Sequence, residues 1–217
     1  MAKLTWDEVG ERLFETGVSK GVLYVYDTEN NTYGKGEAWN GLTGVTESPS
    51  GAEETALWAN NSKYLSMYSA EELGLTIEAY TYPDSWAQCD GSAEIANGVV
   101  LSQQSRKMFG LTYQTVIGND TEDTAHGYKI HIVYGAKCSP SERAYATIND
   151  SPEAITMSWS VSTTPVNVVG YKPTALITID STKADPTKLA TLKDMLYGTD
   201  NEDATLPTPA QILSTFG

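Results

Sequence analysis

The chain is 217 residues long, 40% hydrophobic and only 19% charged, with 13 Tyr against 3 Phe and a formal net charge of −14. It has enough apolar residues to bury a core, which excludes wholesale disorder, and the length suits one substantial domain. The acid excess disfavours a grip on phosphate backbones, and no stretch approaches 18 apolar residues, so a nucleic-acid reader and a membrane-spanning protein are both set aside.

Residues 1–20 read as an N-terminal arm. Thr5 and Glu8 have capping-box spacing, and Trp6, Val9 and Leu13 fall near one helical face; Gly10 opposes a helix, and the segment is equally an extended arm. The N-terminus lacks the apolar run of a signal peptide, so folding in a cytoplasm is expected. Without secretion, the Asn-X-Ser/Thr matches at Asn30, Asn60, Asn119 and Asn149 carry no meaning.

Strands then dominate. Val22–Tyr26 is an apolar run of strand length. Leu75, Ile77 and Ala79 alternate with Thr76, Glu78 and Tyr80, and Leu111, Tyr113 and Thr115 alternate with Thr112 and Gln114. Tyr128, Ile130, Ile132 and Tyr134 alternate with Lys129 and His131, and Met157, Trp159 and Val161 with Ser158, Ser160 and Ser162. Ala175, Ile177 and Ile179 close the series. A period of two gives each strand a wet face and a dry face. Asn40-Gly41, Asp90-Gly91, Ser139-Pro140 and Ser151-Pro152 mark turns. Residues 46–62 and 83–105 lack clear periodicity and read as long loops suited to ordering on a partner.

One helix is well signalled, over residues 185–197. Asp185 caps it, Pro186 takes the first position, Gly198 ends it, and Leu189, Leu192 and Leu196 form the buried stripe. Residues 199–217 read as a C-terminal arm that opens on the acidic linker Asp200–Asp203.

The residues that carry chemistry are sparse. His126 and His131 have odd separation and would face opposite ways on one strand, which disfavours a shared metal. Cys89 and Cys138 make neither a CxxC pair nor a disulfide framework, and each reads first as a small buried hydrophobe. A Cys89–His131 nucleophile pair stays open from sequence, as does some carboxylate pair acting on a sugar. No cofactor motif occurs: GxSxG, a P-loop, GxGxxG and HExxH are all missing. Trp39, Trp58 and Trp86 lie in or beside loops, where they either stack on sugars or anchor the loops.

Several stretches, in order and across most of the chain, resemble the major tail tube proteins of long non-contractile-tailed bacteriophages, particularly those of Gram-positive hosts. They are Gly21–Val25, Ala38–Thr43, Val45–Glu53, Thr76–Pro83, Cys89–Ser92, Gln103–Lys107, Ile117–Thr121, Tyr134–Ala136 and Tyr145–Ala154. The resemblance implies a mainly β fold, a β-sandwich or barrel-like core with one flanking helix, related in architecture to type VI secretion tube proteins. It implies no catalytic residue and no cofactor. It implies rings of six stacked into a tube that encloses the tape measure protein, meets tail tip and terminator proteins at its ends, and conducts phage DNA without binding it specifically. The expected location is the virion tail, after a period in the host cytoplasm, with no membrane partner.

A bore that carries DNA should be acidic or neutral-polar, because Lys or Arg facing a duplex would hold it. The candidate lumen-facing residues are therefore Glu78, Ser158, Ser160 and Ser162, and the Lys129 and His131 face is expected outside or at an interface. The competing readings are a carbohydrate-binding β-sandwich of a tail tip or receptor-binding apparatus, and a hydrolase using Cys89 or a carboxylate pair. A tailocin or a domesticated prophage particle would use the same tube fold.

Overall fold

The computed structural model describes residues 3–148, 150 and 154–217; the expected Ser151-Pro152 turn and the match at Asn149 lie outside the described residues. In chain order come β1 (Phe14–Asp27), β2 (Thr32–Trp39), β3 (Leu42–Gly51), β4 (Glu54–Ala59), β5 (Ser62–Tyr68) and β6 (Glu71–Ala79). A 3-10 turn at Asp84–Trp86 leads into the single-turn α1 (Ala87–Asp90), then β7 (Ala93–Ala96), β8 (Val99–Leu101), β9 (Phe109–Asn119) and β10 (Asp123–Cys138). The order ends with β11 (Met157–Thr163), β12 (Leu176–Asp180), α2 (Pro186–Tyr197) and α3 (Pro209–Phe216). The fold is mainly β, as expected.

Eight strands make one antiparallel sheet in the order β2-β1-β9-β10-β11-β6-β3, with β12 joined to β10 off that path. The branching lies in β10. Its Lys129–Val133 segment pairs with β12, whereas Ala136–Cys138 pair with β11. Between them Gly135 adopts φ +59°, and a Cβ there would stand 2.2 Å from the Thr164 carbonyl oxygen. Only glycine admits that approach, so the strand bends there and the register to β9 slips between Val133 and Ala136.

The bend produces two cores. Leu23, Leu111 and Val133 face Leu75, Ile77, Trp159 and Val161 across the first. At one end of it Trp86 packs on Trp39, Phe109 and Trp159 with ring centroids 4.7–5.4 Å apart, in tilted and edge-to-face geometry. Alternate residues of the same strands, Val22, Tyr24, Ile130, Ile132 and Tyr134, point the other way into a second core under α2 and α3. The preference for Tyr over Phe has a local cause here. The Tyr24 hydroxyl donates to the Leu196 carbonyl at 2.5 Å and that of Tyr134 to the Pro207 carbonyl at 2.8 Å, so each ring fills the core while its oxygen satisfies a backbone acceptor.

The 185–197 helix forms as the sequence indicates: the Asp185 carboxylate accepts from the Thr187 and Lys188 amides, and Leu189, Leu192 and Leu196 are buried. The expected C-terminal arm, by contrast, ends in α3. Thr208 and Gln211 form a reciprocal capping box, Pro209 opens the helix, and Ile212 is buried beside Leu206. At the other end, residues 3–13 are not helical. Asp7 and Gly10 take positive φ, and the Arg12 Nε donates to the Asp7 carbonyl, which turns the chain where a helix would have continued. β1 then begins at Phe14, inside the expected 1–20 arm.

Residues 46–62 are strand rather than loop. β3 and β6 pair from Leu42–Ala79 out to Gly51–Glu71, and β4 and β5 carry the same ribbon outward past a bend where Gly51 and Ala52 have positive φ. The expected 83–105 loop carries the Trp86 wedge and the small β7–β8 hairpin.

Replacing Gly135 with Ala should lower unfolding free energy by about 2 kcal/mol or more, because the backbone strain meets a backbone clash. Gly98→Ala, at φ +75° with open space around it, should cost only about 1 kcal/mol. Urea denaturation of the two variants beside the parent checks the difference.

Candidate assembly surfaces

The face of β3, β6 and β11 that turns away from the first core is built by the register. Gly44, Glu78 and Ser158 lie in one row, Thr46, Thr76 and Ser160 in the next, and Ser48, Gly74 and Ser162 in the third. The structure thus brings Glu78, Ser158, Ser160 and Ser162 onto one surface; Ser158 is half-buried and the other three are exposed. Gly44, Thr46 and Ser48 escaped the sequence reading. Their alternation with Val45 and Glu47 was the available signal, masked by the slip in register between Leu42 and Gly44. Lys137 pairs with Ser162 and borders the same face.

The Lys129 and His131 face is placed differently from expectation. β10 is covered on both sides, so its alternating polar residues are not wet. Lys129 forms an ion pair with Glu15. His131 is buried, with its ring stacked on Tyr113 at 4.6 Å, and lies 3.4 Å from the Glu47 carboxylate. Thr115 is within 3.0 Å of its Nε2, and the Tyr113 hydroxyl donates to Glu47 at 2.6 Å. Burial lowers the His131 pKa against the opposing pull of Glu47, so the ring is neutral at neutral pH and acts as packing and a hydrogen-bond link between layers.

Cys89 sits at zero exposure in the aromatic core, and its thiol is pushed up to about 12 by burial. Burial likewise pushes the Cys138 thiol up to about 11. The hydrogen-bonding and stacking partners of His131 are Thr115, Thr178, Glu47 and Tyr113, and Cys89 is not among them. His126 hydrogen-bonds Glu122 and Asn119 in the β9–β10 turn. Among the described residues no group of three His, Cys, Asp or Glu is placed to hold a metal ion. Trp39 and Trp86 are buried, so of the three tryptophans weighed for sugar stacking only Trp58 reaches solvent.

Trp58 belongs to the most conspicuous surface. The β4–β5 hairpin projects from the body with both faces in water and exposes Trp58, Tyr64, Leu65, Met67 and Tyr68. A second apolar patch, Ile95 with Val99–Leu101, lies on the β7–β8 hairpin. The third is the N-terminal segment. Its backbone is held down by the Gly10 amide donating to Asp120 and by Asn119 donating to the Gly10 carbonyl, while Leu4, Trp6 and Val9 point into solvent. Apolar side chains anchored and left uncovered mark contact surfaces. Two strands of the main sheet, β2 and β3, end it with one unpaired edge each.

No known family profile and no curated protein sequence matches the chain. Among solved structures it is similar to a chain of the sheath–tube complex of an extracellular contractile injection system, PVC, in the extended state. The two are 12% identical with a TM-score of 0.32, covering 74% of this chain and 88% of that one. It is also similar to a chain of the sheath/tube terminator of that system in the extended state, at 12% identity and a TM-score of 0.33, covering 82% and 99%. At such values neither chain need share a function with this one.

Both thiols should resist iodoacetamide at pH 8 in the folded protein and react fully in denaturant, as read by intact mass. Rapid native labelling of Cys89 would revive a nucleophilic role.

Proposed function

We propose that this chain is a structural subunit of a phage tail or a phage-like injection tube, and that it assembles as stacked hexameric rings into the tube that conducts genomic DNA during ejection. The reading takes its family from the sequence resemblance to siphophage major tail tube proteins. The observation that carries it is the outer face of β3, β6 and β11. An ordinary soluble surface is roughly 25–35% charged. Here three rows of Gly, Ser and Thr hold a single charge, Glu78, against a core that keeps the sheet stiff. A duplex sliding past such a wall meets hydroxyls and one carboxylate instead of cations that would trap it.

A closed ring needs two different patches on each subunit, related by a rotation that returns to the start. The free edges of β2 and β3 suit such a contact, since an unpaired strand extends readily into a neighbour's sheet. The apolar hairpins and the N-terminal segment suit contacts along the tube axis. In this reading the partners are other copies of the chain, the tape measure protein inside before ejection, and tip and terminator proteins at the two ends. The sites are the virion tail and, earlier, the host cytoplasm.

Negative-stain electron microscopy of the purified protein should show rings or tubes of uniform width. A protein that remains monomeric at high concentration and binds glycans through Trp58 would instead support the carbohydrate-binding reading. Particles assembled with Glu78→Lys should eject DNA more slowly than the parent; unchanged ejection would remove Glu78 from the bore.

A further inference from the structure

The tube reading leaves one polar cleft unused. It has a volume of about 290 Å³ and is lined by Asp90, Ser92, Ser102, Arg106, Ser141 and Arg143. Two of the chain's three arginines converge there, in a protein of net charge −14. Arg143 forms an ion pair with one oxygen of Asp90, whose side chain is only 5% exposed. The other carboxylate oxygen, Oδ1, is buried without a hydrogen-bond partner, and so is the Nε of Arg106. The Arg106 guanidinium lies flat on Gly91: a Cβ on that residue would stand 2.9 Å from its Cζ. Gly91, at φ +86°, thus both ends α1 and admits the guanidinium beside Asp90.

A buried acceptor and a buried donor in one cleft select a particular chemistry. A carboxylate would satisfy Arg106 but be repelled by Asp90. An ammonium would satisfy Asp90 but be repelled by two guanidiniums. A carboxamide suits both, because its carbonyl accepts from the arginine and its NH2 donates to the carboxylate.

The chain carries such groups on the tip of its own projecting hairpin. Asn60 and Asn61 form the β4–β5 turn with φ of +50° and +60°, both are exposed, and neither side chain is hydrogen-bonded among the described residues. Residues 54–68 hold only Glu54 and Lys63, which pair with each other, so this extension is neutral on an acidic protein and approaches a second copy without repulsion. The placement also fits. The hairpin leaves the Glu71 end of β6, whereas α1 and the cleft follow its Ala79 end, about 30 Å away for nine residues of strand. A plug at one end of a sheet and a socket at the other make a contact that repeats head to tail.

We propose that the Asn60–Asn61 tip of one subunit docks in the Asp90–Arg106–Arg143 cleft of the next. The docking rests on the reading of the chain as a self-assembling tube subunit and names the contact that stacks it.

The test uses the full chain carrying Ser62→Cys in the hairpin and Ser102→Cys at the cleft, with Cys89 and Cys138 shielded by burial. A short bismaleimide should give a ladder of covalent oligomers from the assembled double variant and at most dimers from either single variant. In parallel, Arg106→Gln, which breaks no hydrogen bond within its own chain, should raise the critical concentration for assembly about tenfold, as should Asn60→Asp combined with Asn61→Asp. The Arg106→Gln measurement decides the matter if the cysteine pair impairs folding. Assemblies that form without the ladder, or at an unchanged critical concentration, overturn the docking and leave the tube reading standing. Failure of the unmodified protein to assemble at any concentration overturns both.

Discussion

The change of partner along β10 is the constraint on which the architecture depends. One strand serves β12 through its first half and β11 through its second, and Gly135 is the residue that permits the change. A straight β10 would give an open, twisted sheet with one covered face. The bend lets β11, β6 and β3 turn back over β1 and β9, so that Leu23 and Leu111 meet Ile77 and Trp159. It also leaves the far side of β1 and β10 free to take α2 and α3. The face of β3, β6 and β11 then points outward because their other face is committed to the core.

Where a strand had one wet and one dry side, the sequence could be read directly. β11 is the clearest example: its serines face out and Met157, Trp159 and Val161 face in, and β6 behaves in the same way. The α2 cap, its leucine stripe and its terminal glycine were equally plain. Periodicity failed where both sides of a strand share one environment. β10 has two dry sides, so His131 was expected in water and is found stacked on Tyr113. β4 and β5 have two wet sides, so their ribbon carries no alternation and resembled a loop. α3 was legible in principle, since Thr208, Pro209 and Gln211 spell a helix start; its eight residues were too short for a convincing stripe. Of the surfaces, the three serines and Glu78 could be proposed from alternation alone. The cleft at Asp90 could not, because Asp90, Arg106 and Arg143 meet only through the fold.

The chemistry-bearing residues divide by environment. Thiols and tyrosine hydroxyls inside the two cores are held in their neutral forms by burial, which suits structural service. The groups with unused hydrogen-bonding capacity and access to a cleft are Asp90 and Arg106. Uncovered apolar side chains concentrate on three extensions rather than on the body, which is polar over the serine-rich face. A subunit that must touch many neighbours yet stay soluble alone has reason to segregate its surfaces in this way.

The neutral hairpin on an acidic body has a kinetic consequence. Two bodies of like charge repel over roughly a Debye length, about 8 Å at physiological ionic strength and about 30 Å at 0.01 M. An uncharged probe reaching about 20 Å beyond the body, the span of a six-residue strand, crosses that cloud at the higher ionic strength and is swallowed by it at the lower. Encounter between subunits is therefore gated by counterions although the tip itself carries no charge. Dilute buffer would hold the subunits apart as a storage condition, and the salt of a living cell would release them.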